Sequence, residues 1–420
     1  MNNLDKKKQN LSNELENLYK IYSDFKNENL SLNMARGKPS PEQLDLSSDI
    51  LKNIKNDFES DGIDIRNYGC LEGLPEARKL MSEMLGCSQE NVIVGGNSSL
   101  SLMHDVVTNF FVRGSLGCVP WGAQKIKFLC PSPGYDRHFQ ICEFFNIEMI
   151  PIRINDNGPD MEQIKNLVSK DDSIKAIWCV PKYSNPDGIV FSDEIIKEIA
   201  NLEPSAKDFK ILWDNAYCVH DLYDEINIAN IFDECIKAKH ENFIISFCST
   251  SKITFAAGGI SAVGCLDENF KDLKEYFSRK IVSFDKINQY RHVKFLKNLE
   301  NIKSHMKKHA SILRPKFELI LSKFDKNFKD NKFLRWTTPK GGYFISVYTF
   351  GSAKRVEELC KNAGLVITPA GSAYPYGNDP DDSHIRIAPS FPTIEQLDKA
   401  IDLFCLCTKI SAIEKIMSGD

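Results

Sequence analysis

The sequence predicts an α/β fold in which a large domain, built on a mostly parallel seven-stranded sheet, is joined to a smaller α+β domain. Three observations predict it. Seven short β-rich runs alternate with helical stretches between Asn91 and Gly264, the pattern of a parallel sheet covered on both faces. After Phe284 that alternation gives way to a long helical stretch towards Phe324, followed by three shorter strand-like runs. A chain of 420 residues is also longer than one small domain requires.

Each element has its own signal. Leu11, Leu15, Leu18, Tyr19, Tyr22 and Phe25 recur at helical spacing and predict an amphipathic packing helix near the N-terminus. The seven strand runs are 91–94, 125–129, 148–152, 175–180, 209–213, 243–247 and 260–264. In the smaller domain the strand-like runs are 335–348, 365–368 and 384–388. Thr393 and Gln396 form a capping box that starts a last helix, with Leu397, Ile401 and Phe404 on its inner face. The expected division is an N-terminal helix and arm over 1–60 that forms part of the small domain, a large domain over 61–310 and the rest of the small domain over 311–420.

Composition excludes several classes. The net charge is −4, and the one basic cluster, Lys6 to Lys8, lies in a segment that reads as solvated, so nucleic-acid binding is disfavoured. Thirteen cysteines, scattered and without a CxxC pair, read as free buried thiols of a reducing cytosol. The polar start MNNLDKKKQN lacks the apolar core of a signal peptide, and no apolar run reaches membrane-spanning length, so the expected location is cytoplasmic.

Chemistry concentrates where three consecutive predicted strands end. KAIWCVP leads into Asn185-Pro186-Asp187-Gly188, FKILW into Asp214-Asn215-Ala216-Tyr217, and FIISF through Cys248 into Ser249-Thr250-Ser251-Lys252. In a parallel sheet, neighbouring ends meet at one rim, where such folds bind ligands. Each motif alone is weak: Asn-Pro marks turns, an Asp after a strand caps helices, and Ser-x-Ser-Lys is common on surfaces. Their joint order carries the inference. An amide, a carboxylate with a nearby phenol, and a lysine preceded by hydroxyls suit a phosphorylated pyridine aldehyde. Asp214 would pair with the ring nitrogen, Asn185 and Tyr217 would donate to the ring's phenolate oxygen, and Lys252 would bond the aldehyde as a Schiff base and later move a substrate proton.

Upstream, VIVGGNSSL reads as strand, glycine turn and helix start, so Asn97, Ser98 and Ser99 could cradle a phosphate, assisted by Ser249 and Ser251. Tyr135, after Pro131-Ser132-Pro133-Gly134, is the candidate aromatic face against the ring. Arg386 ends a short strand and suits a substrate α-carboxylate. His305 and His309 stand four apart on a helix, but with Lys307 and Lys308 between them they read as a solvated face, and no metal is expected. Asn97-Ser98-Ser99 also matches a glycosylation acceptor, which a cytoplasmic location makes irrelevant.

These residues resemble fold-type I aminotransferases dependent on pyridoxal 5'-phosphate (PLP), and more narrowly the bacterial aspartate aminotransferase subgroup called type Ic. The likeness runs from MARGKPSPEQLDLS at 34–47, through RNYGCLEGLPEAR, FLCPSPGYDRHF, IWCVPKYSNPDGI, WDNAYCVH, CSTSKITFA and TPKGGYFIS, to HIRIAPSFP at 384–392. It implies the aspartate aminotransferase-like fold and ping-pong transamination from an amino acid, L-aspartate first, to 2-oxoglutarate. It also implies a homodimer in which Tyr68 reaches the partner subunit's cofactor phosphate, Gly37 lies near the substrate carboxylate, and a small domain closes over substrate.

Where many relatives carry a phosphate-binding arginine eight residues after the lysine, this chain has Ile260, which leaves Lys286 or Arg291 of the partner subunit as the expected substitute. For a distal carboxylate, Arg36, Lys182, Lys286 and Arg291 all stay open. Alternative readings are an aminotransferase for aromatic or 2-aminoadipate-type substrates, favoured if Tyr374 and Tyr376 line the pocket, a PLP lyase, and a non-catalytic regulator. The last is disfavoured by the intact lysine and by the absence of a winged-helix region before the fold.

Overall fold

In the computed structural model, which describes residues 3–52, 54 and 58–419, the rim predicted from the strand order is assembled from a single sheet. Side chains of residues 3–7, including Lys6 and Lys7 of the basic cluster, lie outside the described residues.

All seven predicted strands form. They are Val92–Val94, Lys127–Ser132, Glu148–Asn155, Ile174–Cys179, Lys210–Asp214, Ile244–Ser249 and Ser261–Cys265. Ser261–Cys265 runs antiparallel, between Val92–Val94 and Ile244–Ser249, and the other six run in one direction. A two-residue strand, Gly158–Pro159, adds an eighth member against Glu148–Asn155. It was not predicted because two residues, one of them proline, carry no periodicity.

Alternate strand residues face opposite layers. Phe128, Trp178, Leu212 and Phe247 pack against helices Ser99–Arg113, Asp136–Phe144 and Asp267–Lys280. Leu129, Ile177, Ile211 and Trp213 pack against helices Met161–Val168, Asp193–Ala200 and Ile231–Ala238. Both faces are therefore apolar, and function is confined to the strand ends.

The predicted run 335–348 is two strands, Leu334–Trp336 and Ile345–Thr349, which form a three-stranded sheet with His384–Ile387. The intervening Pro339-Lys340-Gly341-Gly342 breaks the run because its backbone passes against the site. A Cβ on Gly341 would lie 2.3 Å from the Tyr183 ring and 2.5 Å from the His220 carbonyl, and Gly342 has φ +80°. Leu365–Val366 pairs instead with Leu32–Asn33, in parallel, which brings the N-terminal arm to the C-terminal segment.

The long helical stretch is likewise two helices, Lys286–Leu296 and Leu299–Phe328, parted by Lys297 at φ 62° and capped by Asn298, which accepts from Asn301 N. The last helix, Ile394–Ser418, starts at the predicted Thr393–Gln396 capping box and packs against the helix Asn3–Asn27. Among the described residues no helix is long and apolar enough to cross a membrane, and all thirteen cysteines are free.

Candidate active site

Strands Ile174–Cys179, Lys210–Asp214 and Ile244–Ser249 are immediate neighbours in the sheet, so their carboxyl ends deliver Asn185, Asp214 and Lys252 to one place. Lys127–Ser132, on the far side of Ile174–Cys179, delivers Tyr135, and Val92–Val94 delivers the Asn97–Ser99 turn. One cavity is lined by Asn97, Ser98, Ser99, Tyr135, Asp214, Ser249, Ser251 and Lys252, with Gly37 on its opposite wall.

Lys252 Nζ donates to Tyr217 Oη at 2.9 Å. Burial, and next Tyr135 and Asp214 opposing it, set the lysine's proton affinity, with the net effect that the amine lies below its ordinary range. A lysine easier to deprotonate is a better nucleophile and base. Burial raises the Tyr217 phenol well above its usual value and pushes Tyr135 up to about 12, so both remain donors at neutral pH.

Asp214 is buried, and its two oxygens differ. Oδ2 lies 3.1 Å from His138 Nε2, while Oδ1 is buried and has no partner. His138 is stacked on Trp178 at 4.3 Å and 7°, which locks its ring, and Tyr135 meets it edge-on at 5.0 Å. An isolated buried carboxylate oxygen costs about 1–3 kcal/mol, and a protonated ring nitrogen would satisfy it.

At the other end, helix Ser99–Arg113 opens on the cavity with Ser98 as its cap, accepting from Leu100 N at 3.2 Å. The remaining free N–H groups of that turn suit an anion. Ser251 Oγ donates to the Asn97 carbonyl at 2.6 Å and ties the two phosphate-side segments together. These groups fit a phosphorylated pyridine aldehyde, whose ring nitrogen Asp214 would hold and whose phosphate Ser98 and Ser99 would hold.

Arg386, on strand His384–Ile387, is held through Nη1 by Asp136 Oδ1 at 2.9 Å and Asn185 Oδ1 at 3.2 Å, with the Phe344 ring 4.9 Å from its guanidinium. Its Nε is buried and unpartnered, so one edge of the fork is available to a carboxylate. Asn185 spends its oxygen on Arg386, which leaves its amide N–H groups as donors. Gly37 touches Phe344 so closely that a Cβ would lie 2.4 Å from the ring, and only glycine fits.

Other candidate residues have partners or surroundings of their own. Arg36 is exposed and lines a neighbouring cavity with Glu357 and Lys361, because the chain turns outward before Gly37. Lys182 is buried in an ion pair with Asp221 at 2.9 Å and is not free for a substrate. Lys286 Nζ bonds the carbonyls of Asn67 and Gly69, the latter at 3.0 Å, and Arg291 bonds Asn288 Oδ1 at 3.1 Å. Ile260 is buried in the core, its N–H donating to Thr250 Oγ1.

Tyr68 is 82% exposed and lies outside its own chain's cavity. Tyr374 and Tyr376 also lie away from it: Tyr374 packs on His384, and Tyr376 Oη accepts from Met149 N. The solvated histidine face is overturned too: His305 and His309 are buried, because they face inward while Lys307 and Lys308 face solvent. Among the described residues no three potential ligands gather for a metal.

Sequence reading missed His138, Asp136, Phe344 and Lys38. His138 had a signal, three residues after Tyr135 and on the same helical face. Lys38 lines the cavity, with Nζ 3.8 Å from the Phe391 ring centre.

In family and in fold the chain is similar to known proteins. The family described as aspartate amino-transferase matches residues 6–420. An aspartate aminotransferase of Corynebacterium glutamicum is 39% identical over 405 residues, 95% of this chain and 94% of its own. The crystal structure of an aspartate transaminase from the same species has a TM-score of 0.94 at 38% identity over 97% of each chain. An α-aminoadipate aminotransferase of Thermus thermophilus, solved with N-(5'-phosphopyridoxyl)-L-leucine, shares the fold, with a TM-score of 0.73 at 18% identity over 92% of this chain and 93% of its own.

Proposed function

The chain belongs to the aspartate aminotransferase family of PLP-dependent, fold-type I enzymes, and on that premise we propose that it transfers the amino group of L-aspartate to 2-oxoglutarate by a ping-pong reaction. One observation carries the reading: Lys252 Nζ sits 2.9 Å from Tyr217 in the cavity where Asp214 keeps one buried oxygen free. When bound, PLP supplies the electron sink and the amino-group carrier.

The chain's own residues do the rest. Lys252 is the amine that bonds the cofactor, and once displaced it moves the proton from the substrate α-carbon. Asp214, oriented by His138, holds the ring nitrogen's proton. Tyr217 and the Asn185 amide hold the ring oxygen, Tyr135 covers the ring, and Ser98, Ser99, Ser249 and the Asn97 turn hold the phosphate, with Ser251 bracing that turn through the Asn97 carbonyl. Arg386 takes the substrate α-carboxylate through its free edge, and Gly37 leaves room for it.

We further propose a homodimer in which Tyr68 reaches the partner's phosphate site. Its 82% exposure, with Leu51 at 63% and Val282 at 62%, supports a covered surface. Pairing of Leu32–Asn33 with Leu365–Val366 supports a small domain drawn from 1–60 and 311–420, beside a large domain over 61–310. The free thiols support a reducing, cytoplasmic location.

The test of the reaction is a half-reaction panel. Single amino acids are added to purified holoenzyme while the cofactor's visible absorption is followed. Aspartate and glutamate should discharge it. Discharge by aromatic amino acids alone would overturn the substrate assignment.

A further inference from the structure

Behind the Lys252 loop lies a second buried polar cluster that the chemistry above does not use. His305 and His309 sit one turn apart on the inner stripe of helix Leu299–Phe328, interleaved with Ile302, Met306 and Leu313. Gln43, also buried, faces them from the N-terminal arm. Its amide is oriented by its neighbours: Oε1 accepts from Ser40 N at 3.1 Å, which turns Nε2 towards Tyr343 Oη at 3.0 Å and His309 Nδ1 at 3.0 Å.

An amide nitrogen only donates, so His309 Nδ1 accepts, and the neutral ring carries its proton on Nε2. That atom lies 3.2 Å from His305 Nε2, which spends its own proton on the Ile253 carbonyl at 3.0 Å, so the two histidine rings meet edge to face, 4.9 Å between centres, and not through a hydrogen bond. Ile253 directly follows Lys252. Ser47 Oγ closes the cluster, 3.2 Å from His305 Nε2 and 3.4 Å from the same carbonyl.

The other end of the path is the substrate-carboxylate wall. Tyr343 precedes Phe344, and the Phe344 ring lies against both Gly37 and the Arg386 guanidinium. Tyr343 itself is tilted on Tyr217 at 6.3 Å. A continuous run of buried contacts, hydrogen bonds on either side of the packed His305–His309 ring pair, therefore connects the peptide after Lys252 to the wall that carries Gly37 and Arg386. Burial pushes His309 down to about 4 and lowers His305, so the pair holds the loop without placing a cation behind the lysine.

We propose that Gln43, His309 and His305 are positioning residues that fix the Lys252 peptide relative to the Gly37–Phe344 wall, so that the amine and the carboxylate-binding guanidinium keep a set separation. The inference rests on the reading of Lys252 as the cofactor-bonding amine. Displacing a reacting group by an ångström costs up to about 10²-fold in rate.

Holoenzymes of H305A, H305Q and Q43L are compared with wild type by half-reaction kcat and KM, by the absorption spectrum of the bound cofactor and by melting temperature. H305A and Q43L should lose about 10- to 100-fold in kcat with KM nearly unchanged, and the cofactor band should shift. H305Q, which can still donate to the Ile253 carbonyl, should restore most of both. The double variant Q43L/H305A should be no slower than the slower single one, as expected of residues acting through one path.

Wild-type kcat and spectrum in H305A and Q43L, with only the melting temperature lowered, would overturn the proposal. Should H305A not fold, Q43L reads the same path from its other end. Failure of the underlying reading is separately visible, because borohydride reduction of wild-type holoenzyme would then leave no label on Lys252, before any variant is compared.

Discussion

Two buried polar regions flank Lys252, and they differ in whether their atoms are satisfied. On the cavity side, Asp214 Oδ1 and Arg386 Nε are buried without partners. Behind the loop, Gln43 bonds His309 and Tyr343 at 3.0 Å, and His305 bonds the Ile253 carbonyl at 3.0 Å beside Ser47. A buried polar atom left alone costs about 1–3 kcal/mol, so unsatisfied atoms that converge on a cavity mark where a ligand completes the protein, and a cluster bonded to its own surroundings marks what holds the site still. His220 stands between the two regions. Both its ring nitrogens are buried and unpartnered, and its ring packs edge-on against Tyr217 at 5.4 Å and Tyr343 at 5.7 Å.

The difference can be broken most severely at the amine. K252A should abolish transamination, a loss of about 10⁴-fold or more in the half-reaction rate, since the variant lacks both the bonding amine and the proton carrier. Next, D214N leaves the ring nitrogen without an anion. Its kcat should fall by about 10²–10³-fold with the variant still folded, because His138 retains a polar partner in the amide oxygen. A D214N rate near wild type would remove Asp214 from the chemistry.

R386K should act on binding more than on turnover. A point charge cannot replace the fork that Asp136 and Asn185 now orient, and loss of a charged hydrogen bond is worth about 1.5–3 kcal/mol, or roughly 10- to 150-fold in KM for the amino donor. Unchanged KM would place the carboxylate elsewhere.

The smallest effect lies in the satisfied region. His309 is depressed from its ordinary 6.5 to about 4 by burial, so the unfolded chain takes up the proton first on acidification. Its contribution to stability is fully present above pH 6.5 and is lost as the pH falls towards about 4. H309Q should therefore flatten the dependence of melting temperature on pH across that window by a few degrees, and an unaltered profile would contradict the burial argument.

How much of this was legible in the sequence depended on whether the signal was local. Strand runs such as KAIWC and FIISF, and the Thr393–Gln396 cap, are local, and they reappear within a residue or two of the predicted bounds. The order Asn185, Asp214, Lys252 was legible because adjacent parallel strands turn sequence order into proximity. Partnerships across the fold were not. Nothing in Lys182 announces Asp221, and nothing in Arg386 announces Asp136. The inward histidines did leave a trace: 302, 305, 306, 309, 310 and 313 follow one helical stripe, and the flanking lysines at 307 and 308 masked it. The split of 335–348 was legible in Pro339-Lys340-Gly341-Gly342, a breaker signal that a single run over 335–348 passes across.

The account stands on the amine at position 252, and chemical trapping tests it most directly. Holoenzyme reduced with borohydride and digested should yield a pyridoxyl mass on the peptide containing Ser251-Lys252-Ile253 and on no other lysine. The label on a different lysine, or no label on protein that is folded and saturated with PLP, would contradict it.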